Sequence, residues 1–157
     1  MSAVPNRHVF VYGTLRRGEV RDINRLQPAP RWVGQGRVAG VLYDLGSYPG
    51  LVLQPSGEMP HDTPTAALHD PHVVGEVYSI TPELERQLDA IEEVWPQQTG
   101  EYIRREVPVL MAREAAAAAD AFLQVLVCLL YEIAADRVVG KPRIASGDWV
   151  RRGDRRL

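Results

Sequence analysis

The sequence predicts an α+β fold in which a compact mixed β-sheet or barrel is flanked by helical segments. Six short segments rich in β-branched and aromatic residues follow one another, and Gly and Pro separate them. An amphipathic helical pattern lies between the fourth and fifth of these segments. The length of 157 residues is typical of one domain, so we expect a single domain over residues 1–157.

The predicted strands are apolar runs that end at turn signals. The first run stops at Gly13, and the third carries a Pro-Gly turn signal at Pro49-Gly50. The fourth alternates only loosely, so apolar side chains lie on both of its faces. In chain order the predicted strands are Val9–Tyr12, Gly36–Tyr43, Tyr48–Leu53, Val73–Ile80, Tyr102–Met111 and Phe122–Ile133.

One helix is predicted after the fourth strand. Thr81 is a hydroxyl N-cap residue, and Pro82 suits the first helical position. We expect the helix to end near Glu93, before the Trp95-Pro96 pair. The residues that form its apolar stripe, four and three positions apart, are Leu84, Leu88 and Ile91.

Two other segments interrupt the strands. The Ala-rich residues 113–122 favour a helix by propensity, but they lie between two β-like segments. A hairpin loop with a helical turn is therefore an equal alternative. Residues 54–71 are rich in Pro, His, Asp and small side chains, which predicts a long exposed loop.

Composition limits the class of protein. The formal net charge is −2, from 18 basic and 20 acidic residues, whereas nucleic-acid binders usually carry a basic excess. The single cysteine, Cys128, allows no internal disulfide and is expected to be a buried thiol. The longest apolar run, Val125–Tyr131, is far shorter than the roughly 20 residues that span a bilayer. With no apolar segment in "MSAVPNR", we expect a cytoplasmic protein without membrane or nucleic-acid partners.

The histidines do not indicate a metal centre. His61, His69 and His72 lie in or beside the predicted loop, and their spacing matches no strong metal-site pattern. We therefore expect no metal.

A first candidate site is the loop Tyr12-Gly13-Thr14-Leu15, where the first strand breaks. Glycine lets a ligand approach the backbone closely, and successive N–H groups can form a small anion site. A tight structural turn explains the same letters. Phosphate-loop motifs are missing from this stretch. Arg16 and Arg17 are either solvated or steer an anionic substrate towards the loop.

A second candidate is Glu92, at the C-terminal end of the predicted helix and beside its apolar stripe. Burial and the helix dipole both disfavour the charged carboxylate, so both raise its pKa. Asp89 and Glu93 are expected to add to the shift. A carboxyl that titrates near neutral pH suits general acid–base catalysis. A solvated glutamate in an acidic helix end is the alternative.

Five blocks in order make the sequence resemble the γ-glutamylcyclotransferase-like family. They are "VFVYGTLRRG", "GVLYDLGSYPGLV", "VVGEVYSI" with "LERQLDAIEE", "YIRREVPV" and "IASGDWV". The resemblance implies a small mixed β-barrel or sheet with a few flanking helices. It also implies that a γ-glutamyl amine or amino acid is cyclised to 5-oxoproline, with release of a free amine and without a cofactor.

The resemblance also implies residue roles. Glu92, in the Leu-Asp-x-x-Glu pattern, is implied to be the general base and then the general acid, with Glu93 as the alternative in register. A cavity-lining hydroxyl is implied for Tyr102, in the Tyr-x-Arg pattern with Arg104. The residues implied to bind the substrate's glutamyl group are Tyr12, Gly13, Thr14 and Leu15.

The sequence departs from the family pattern at three segments that look like insertions: 54–71, 94–100 and 113–121. Insertions near a cavity mouth can change which substrate is accepted. Two other functional classes stay open. One is a non-catalytic protein that binds a small acid in the same cavity, and the other is an interaction protein that uses the inserted loops.

Overall fold

The computed structural model describes residues 7–54, 71–93, 98–112 and 124–150. Within them, short 3₁₀ helices lie at Ile23–Arg25 and Ala135–Val138, and one α-helix, α1, spans Pro82–Ile91. The strands are β1 (Arg7–Val11), β2 (Arg31–Asp44), β3 (Pro49–Leu53), β4 (His72–Ile80), β5 (Tyr102–Met111) and β6 (Gln124–Ile133). Each predicted strand is present.

Five strands close into a barrel, and β3 is an extra strand at its side. The strand order is β3-β2-β4-β1-β6-β5, and a further pairing between β2 and β5 closes the ring. The closing pairs are Gly36 with Met111 and Arg37 with Leu110. The pairing of β1 with β6 is parallel, and the other pairings are antiparallel. This α+β barrel confirms the predicted fold class.

Strand β2 begins five residues earlier than the sequence predicted, so the Gly36 boundary was wrong. The early part of β2 pairs with β4 across a register shift between Trp32 and Gly34. Trp32 and Val33 are each 38% exposed there, so this part of the strand has no buried apolar run that would predict it. A Cβ on Gly36 would lie 2.6 Å from Cγ1 of Val109. This glycine lets β2 approach β5 where the barrel closes.

Apolar side chains form two cores, one inside the barrel and one beneath α1. The first core takes side chains from all six strands, as expected for the inward-facing positions of a closed sheet. Cys128 lies in it with 1% exposure, and burial raises the pKa of its thiol to about 12. This position confirms the predicted buried thiol. The second core joins Leu84 and Leu88 of α1 to outward-facing residues of β1, β4 and β6.

Helix α1 begins as predicted and ends slightly earlier. Oγ1 of Thr81 accepts a 3.1 Å hydrogen bond from the Leu84 N–H, and Pro82 occupies the first turn. The helix ends at Ile91, and Glu92 is its C-cap residue. Glu93 has φ +57°, a left-handed conformation that stops the helix two residues before the predicted end.

Several predictions fall outside the described residues. Residues 55–70, 94–97, 113–123 and 151–157 are among them. They include most of the predicted exposed loop, His61 and His69, and the Ala-rich segment with its two alternative conformations. Among the described residues, no helix has the length and apolar character required to cross a membrane.

Candidate active site

A cavity of about 350 Å³ opens where β1 ends. The loop after β1, the end of α1, the start of β5 and the turn before β3 surround it. The lining residues run from Phe10 to Tyr131, so the fold brings together residues up to 121 positions apart in the sequence. The residues predicted for the site all line this cavity: Tyr12, Gly13, Thr14, Leu15, Glu92 and Tyr102.

We call residues 13–15 the amide loop. Their carbonyl groups are hydrogen-bonded to the protein, whereas their N–H groups are available to a ligand. Among the described residues, the N–H groups of Gly13, Thr14 and Leu15 donate to no protein acceptor. Three successive unpaired amides beside a cavity can bind a carboxylate or a developing oxyanion. The carbonyl oxygens of these three residues accept hydrogen bonds of 2.9 to 3.0 Å from the N–H groups of Arg16, Arg21 and Ile23.

Gly13 is required by close packing and not by its backbone conformation. Its φ is not among the positive values, which occur at other glycines of the described chain. A Cβ on Gly13 would lie 2.5 Å and 2.8 Å from Cγ and Cδ of Pro49. The absence of a side chain therefore lets the amide loop pack directly against the first residue of β3.

Glu92 lies at the end of α1, half-buried beside the cavity. Its N–H donates to the Leu88 carbonyl at 2.9 Å, which continues the helical hydrogen bonding through the cap. Burial raises the pKa of its carboxyl group to about 7, the positive charge of Arg21 opposes this rise, and the nearby Glu101 and Glu93 carboxylates add to it. The carboxyl group can therefore accept and donate a proton near neutral pH.

Asp89 does not act on Glu92 as the sequence analysis expected, because its charge is neutralised within the protein. Oδ2 of Asp89 lies 2.6 Å from Nη1 of Arg104, and Oδ1 accepts a 2.6 Å hydrogen bond from the Tyr131 hydroxyl. Arg104 also pairs with Glu85 at 2.7 Å. Asp89, 6% exposed, thus attaches α1 to β5 and β6 one helical turn before Glu92.

The two predicted tyrosines make hydrogen bonds to backbone groups around the cavity. The Tyr12 hydroxyl donates to the Tyr131 carbonyl at 2.6 Å and accepts from the Leu51 N–H at 3.3 Å. The Tyr102 hydroxyl donates to the Pro49 carbonyl at 2.8 Å. Burial raises the pKa of both phenols well above the ordinary value, so both stay neutral near pH 7.

A family model described as gamma-glutamyl cyclotransferase, AIG2-like, matches residues 9–151. The chain belongs to this family. The match includes every residue that lines the cavity. Among curated proteins, no sequence matches the chain.

Solved structures similar to the chain share its fold. An aig2-like protein from Mus musculus is 23% identical, with 88% of this chain and 86% of that one covered and a TM-score of 0.63. Protein ytfP from Escherichia coli is 26% identical, with coverage of 92% and 97% and a TM-score of 0.54. YkqA from Bacillus subtilis is 23% identical over 94% of this chain, with a TM-score of 0.62. This chain spans only 41% of the length of YkqA.

Sequence reasoning missed four polar residues that line the cavity of this gamma-glutamyl cyclotransferase family member: Arg21, Ser47, Tyr48 and Glu101. The Tyr48 hydroxyl donates a 2.5 Å hydrogen bond to Oε2 of Glu101, which raises the pKa of the tyrosine. Tyr48 was visible only as part of a turn signal, and Glu101 only as the neighbour of Tyr102. Arg21 lies in a loop that has no periodic pattern, so no local signal identified it.

Of the two arginines expected to be solvated or to steer substrate, Arg17 is exposed to solvent, whereas Arg16 is buried. Arg16 is only 4% exposed and forms ion pairs with Glu76 and Asp148. The Arg17 guanidinium stacks on the Trp32 ring, 4.6 Å from its centroid. Neither residue lines the cavity, and among the described residues the cationic side chain that lines it is Arg21.

Proposed function

We propose that this chain is a γ-glutamylcyclotransferase-type enzyme that converts a small γ-glutamyl compound into 5-oxoproline and a free amine. The observation that carries the proposal is that Glu92 lines the same cavity as the amide loop. Its carboxyl group has a pKa of about 7 and therefore titrates near neutral pH. Family membership supports a γ-glutamyl substrate. Glu92 is proposed as the general base and then the general acid.

The proposed reaction uses the substrate's own α-amino group as the nucleophile. The Glu92 carboxylate takes a proton from the α-ammonium, and the freed nitrogen forms a bond to the γ-carbonyl carbon. The bond between that carbon and the leaving nitrogen then breaks. Two protons leave the attacking nitrogen during the reaction, and the leaving nitrogen gains two and departs as an ammonium. Glu92 returns to its starting state, so no cofactor takes part.

The amide loop is proposed to bind the negative charge of the substrate. Its N–H groups are unpaired among the described residues, so they can donate to a carboxylate or to the γ-oxyanion. Tyr12 and Tyr102 are proposed to shape the wall that bends the substrate. Reaction requires the amine and the carbonyl carbon to approach within about 3–3.5 Å, and a rigid wall favours that conformation.

The direct test incubates the purified protein with γ-glutamyl amino acids and γ-glutamyl amines and detects 5-oxoproline by mass spectrometry. Glu92→Gln keeps the shape of the side chain and removes the titrating group. Glu93→Gln is the comparison variant, because Glu93 is the adjacent glutamate, is exposed to solvent and also lines the cavity. We expect product from the wild type and from Glu93→Gln, and at least a 100-fold loss in Glu92→Gln.

Two results would contradict the proposal in different ways. Product formation that survives in Glu92→Gln but is lost in Glu93→Gln would move the catalytic role to the neighbouring glutamate. Tight binding of 5-oxoproline with no turnover of any panel member would instead favour the non-catalytic small-acid binding protein.

A further inference from the structure

The segment 144–150 does not line the cavity, but it contacts Arg16, the residue that follows the amide loop. It holds the block "IASGDWV", to which the proposed chemistry assigns no role. Ile144 and Trp149 are buried in the barrel core, and the Gly147 carbonyl accepts a 2.8 Å hydrogen bond from the Val74 N–H. The segment is therefore firmly attached beside the start of β4.

Arg16, the residue directly after the amide loop, is the point of contact. Its Nη1 lies 2.6 Å from Oδ1 of Asp148, and its Nε lies 3.1 Å from Oε2 of Glu76 on β4. A single guanidinium thus joins the 144–150 segment to the barrel wall. Trp149 adds a second contact, a 2.9 Å hydrogen bond from Nε1 to Oε1 of Glu19.

Glu76 completes the anchor from the side of the barrel. Its Oε1 accepts hydrogen bonds from the Arg17 N–H and from the Tyr78 hydroxyl, each at 2.9 Å. The Arg16 side chain is 5% exposed and the Glu76 side chain is 8% exposed. A buried guanidinium requires its carboxylate partners, because a charge left unpaired in the interior is strongly unfavourable.

The position of Arg16 sets the turn that carries the amides. The Arg16 N–H donates to the Gly13 carbonyl at 3.0 Å and so closes the turn over Thr14 and Leu15. We therefore expect a displacement of Arg16 to redirect the amides beside the cavity. Enzymes are sensitive to such changes, since a shift of about 1 Å can cost roughly 100-fold in rate.

We propose that Asp148 is a positioning residue that acts through Arg16 to hold the amide loop in its substrate-binding conformation. This inference rests on the proposed function for the consequence in catalysis. Asp148 does not line the cavity, and it acts together with Glu76 of β4, which pairs with the same guanidinium.

The test compares Asp148→Asn with Glu132→Gln. Both substitutions neutralise a carboxylate whose side chain is 14% exposed and which pairs with an arginine. Glu132 contacts Arg105 and the Leu53 N–H, far in sequence from the amide loop and outside the cavity lining. It therefore controls for the general effect of losing a partly buried ion pair.

Three readouts follow the loop. The ¹⁵N–¹H NMR signals of the residue 13–15 amides should move in Asp148→Asn and stay in place in Glu132→Gln. The Kd for 5-oxoproline should rise about 10-fold or more, and kcat/KM should fall about 100-fold, only in Asp148→Asn. The pH midpoint of the activity should not move, since Glu92 is untouched.

Unchanged amide signals and unchanged 5-oxoproline binding in Asp148→Asn, with the same thermal destabilisation as Glu132→Gln, would overturn the inference. A wild type that makes no 5-oxoproline would overturn the proposed function, whereas the amide signals would still decide the role of Asp148. If Asp148→Asn does not fold, Arg16→Lys serves instead. It keeps the positive charge but loses the two separate guanidinium nitrogens that contact Glu76 and Asp148, so the same three changes are expected.

Discussion

The Tyr131 hydroxyl donates a 2.6 Å hydrogen bond to Oδ1 of Asp89, one helical turn before Glu92. The carbonyl oxygen of the same tyrosine accepts the 2.6 Å hydrogen bond from the Tyr12 hydroxyl. One residue of β6 thus connects the helix that carries the proposed catalytic carboxylate to the strand that leads into the amide loop. The distance between these two parts of the site depends on Tyr131.

Removing this hydroxyl should loosen the end of α1. Tyr131→Phe leaves one oxygen of the buried Asp89 without its donor, which we expect to cost about 1–3 kcal/mol in the free energy of unfolding. We also expect about a 10-fold fall in kcat, because Glu92 is held less firmly. Urea unfolding and steady-state kinetics measure the two effects. Tyr43→Phe, on a half-buried tyrosine of β2 outside the cavity, should change neither, and equal kcat in both variants would contradict the positioning role.

Activity should depend on pH through Glu92. A general base must be deprotonated, so kcat/KM should rise with pH through about 7, the pKa to which burial raises this carboxyl. Arg21 lowers that pKa, so Arg21→Met should raise it and move the rising limb to higher pH. Arg86→Met, an exposed position on the same helix that does not line the cavity, should leave the profile unchanged. If kcat/KM of Arg21→Met rises at the same pH as that of the wild type, a group other than Glu92 controls the profile.

The same carboxyl should destabilise the folded protein above neutral pH. The folded state holds the Glu92 proton up to about pH 7, whereas the ordinary pKa of the group is 4.5. Between these values the folded state binds more protons than the unfolded chain, so stability falls as pH rises across this window. Glu92→Gln removes that loss, and its partial exposure reduces the expected gain at pH 8 to about 1–3 kcal/mol.

Urea unfolding at pH 5 and pH 8 checks this expectation. The gain in the free energy of unfolding of Glu92→Gln over the wild type should be near zero at pH 5 and should reach the expected value at pH 8. Glu93→Gln, with an exposed side chain, should stay within about 0.5 kcal/mol of the wild type at both. If Glu92→Gln is more stable than the wild type by the same amount at both pH values, the stabilisation does not come from the titration of Glu92. That result would contradict the prediction.

Gly13→Ala should disturb the site by steric contact. The new Cβ would overlap the Pro49 ring at 2.5 Å, so we expect about 1–3 kcal/mol of destabilisation and at least a 10-fold rise in KM. Gly140→Ala is the control, because Gly140 has φ +78° with open space around it and lies outside the cavity lining. It should lose stability through backbone strain but keep its KM. Calorimetry and steady-state kinetics distinguish the two effects.

Most of the fold could be predicted because its signals are local. The Thr81 cap and the apolar stripe of α1 predicted the helix to within two residues at its end, and β5 has the predicted bounds. The start of β2 was missed because its first residues are exposed and interrupted by glycine, so neither burial nor alternation marks them. Tertiary pairing with β4 forms that part of the strand.

The sequence by itself predicted the candidates for the chemistry: the amides of a strand-ending loop and a glutamate at the end of an amphipathic helix. Capping and apolar spacing located these residues, and the resemblance to the family implied their roles. Only the tertiary structure decided the charges around them. Asp89 is neutralised by Arg104, and Arg16 is buried between Glu76 and Asp148, residues 60 and 132 positions away. Pairing and burial depend on which distant segments meet, and no local pattern of residues records that.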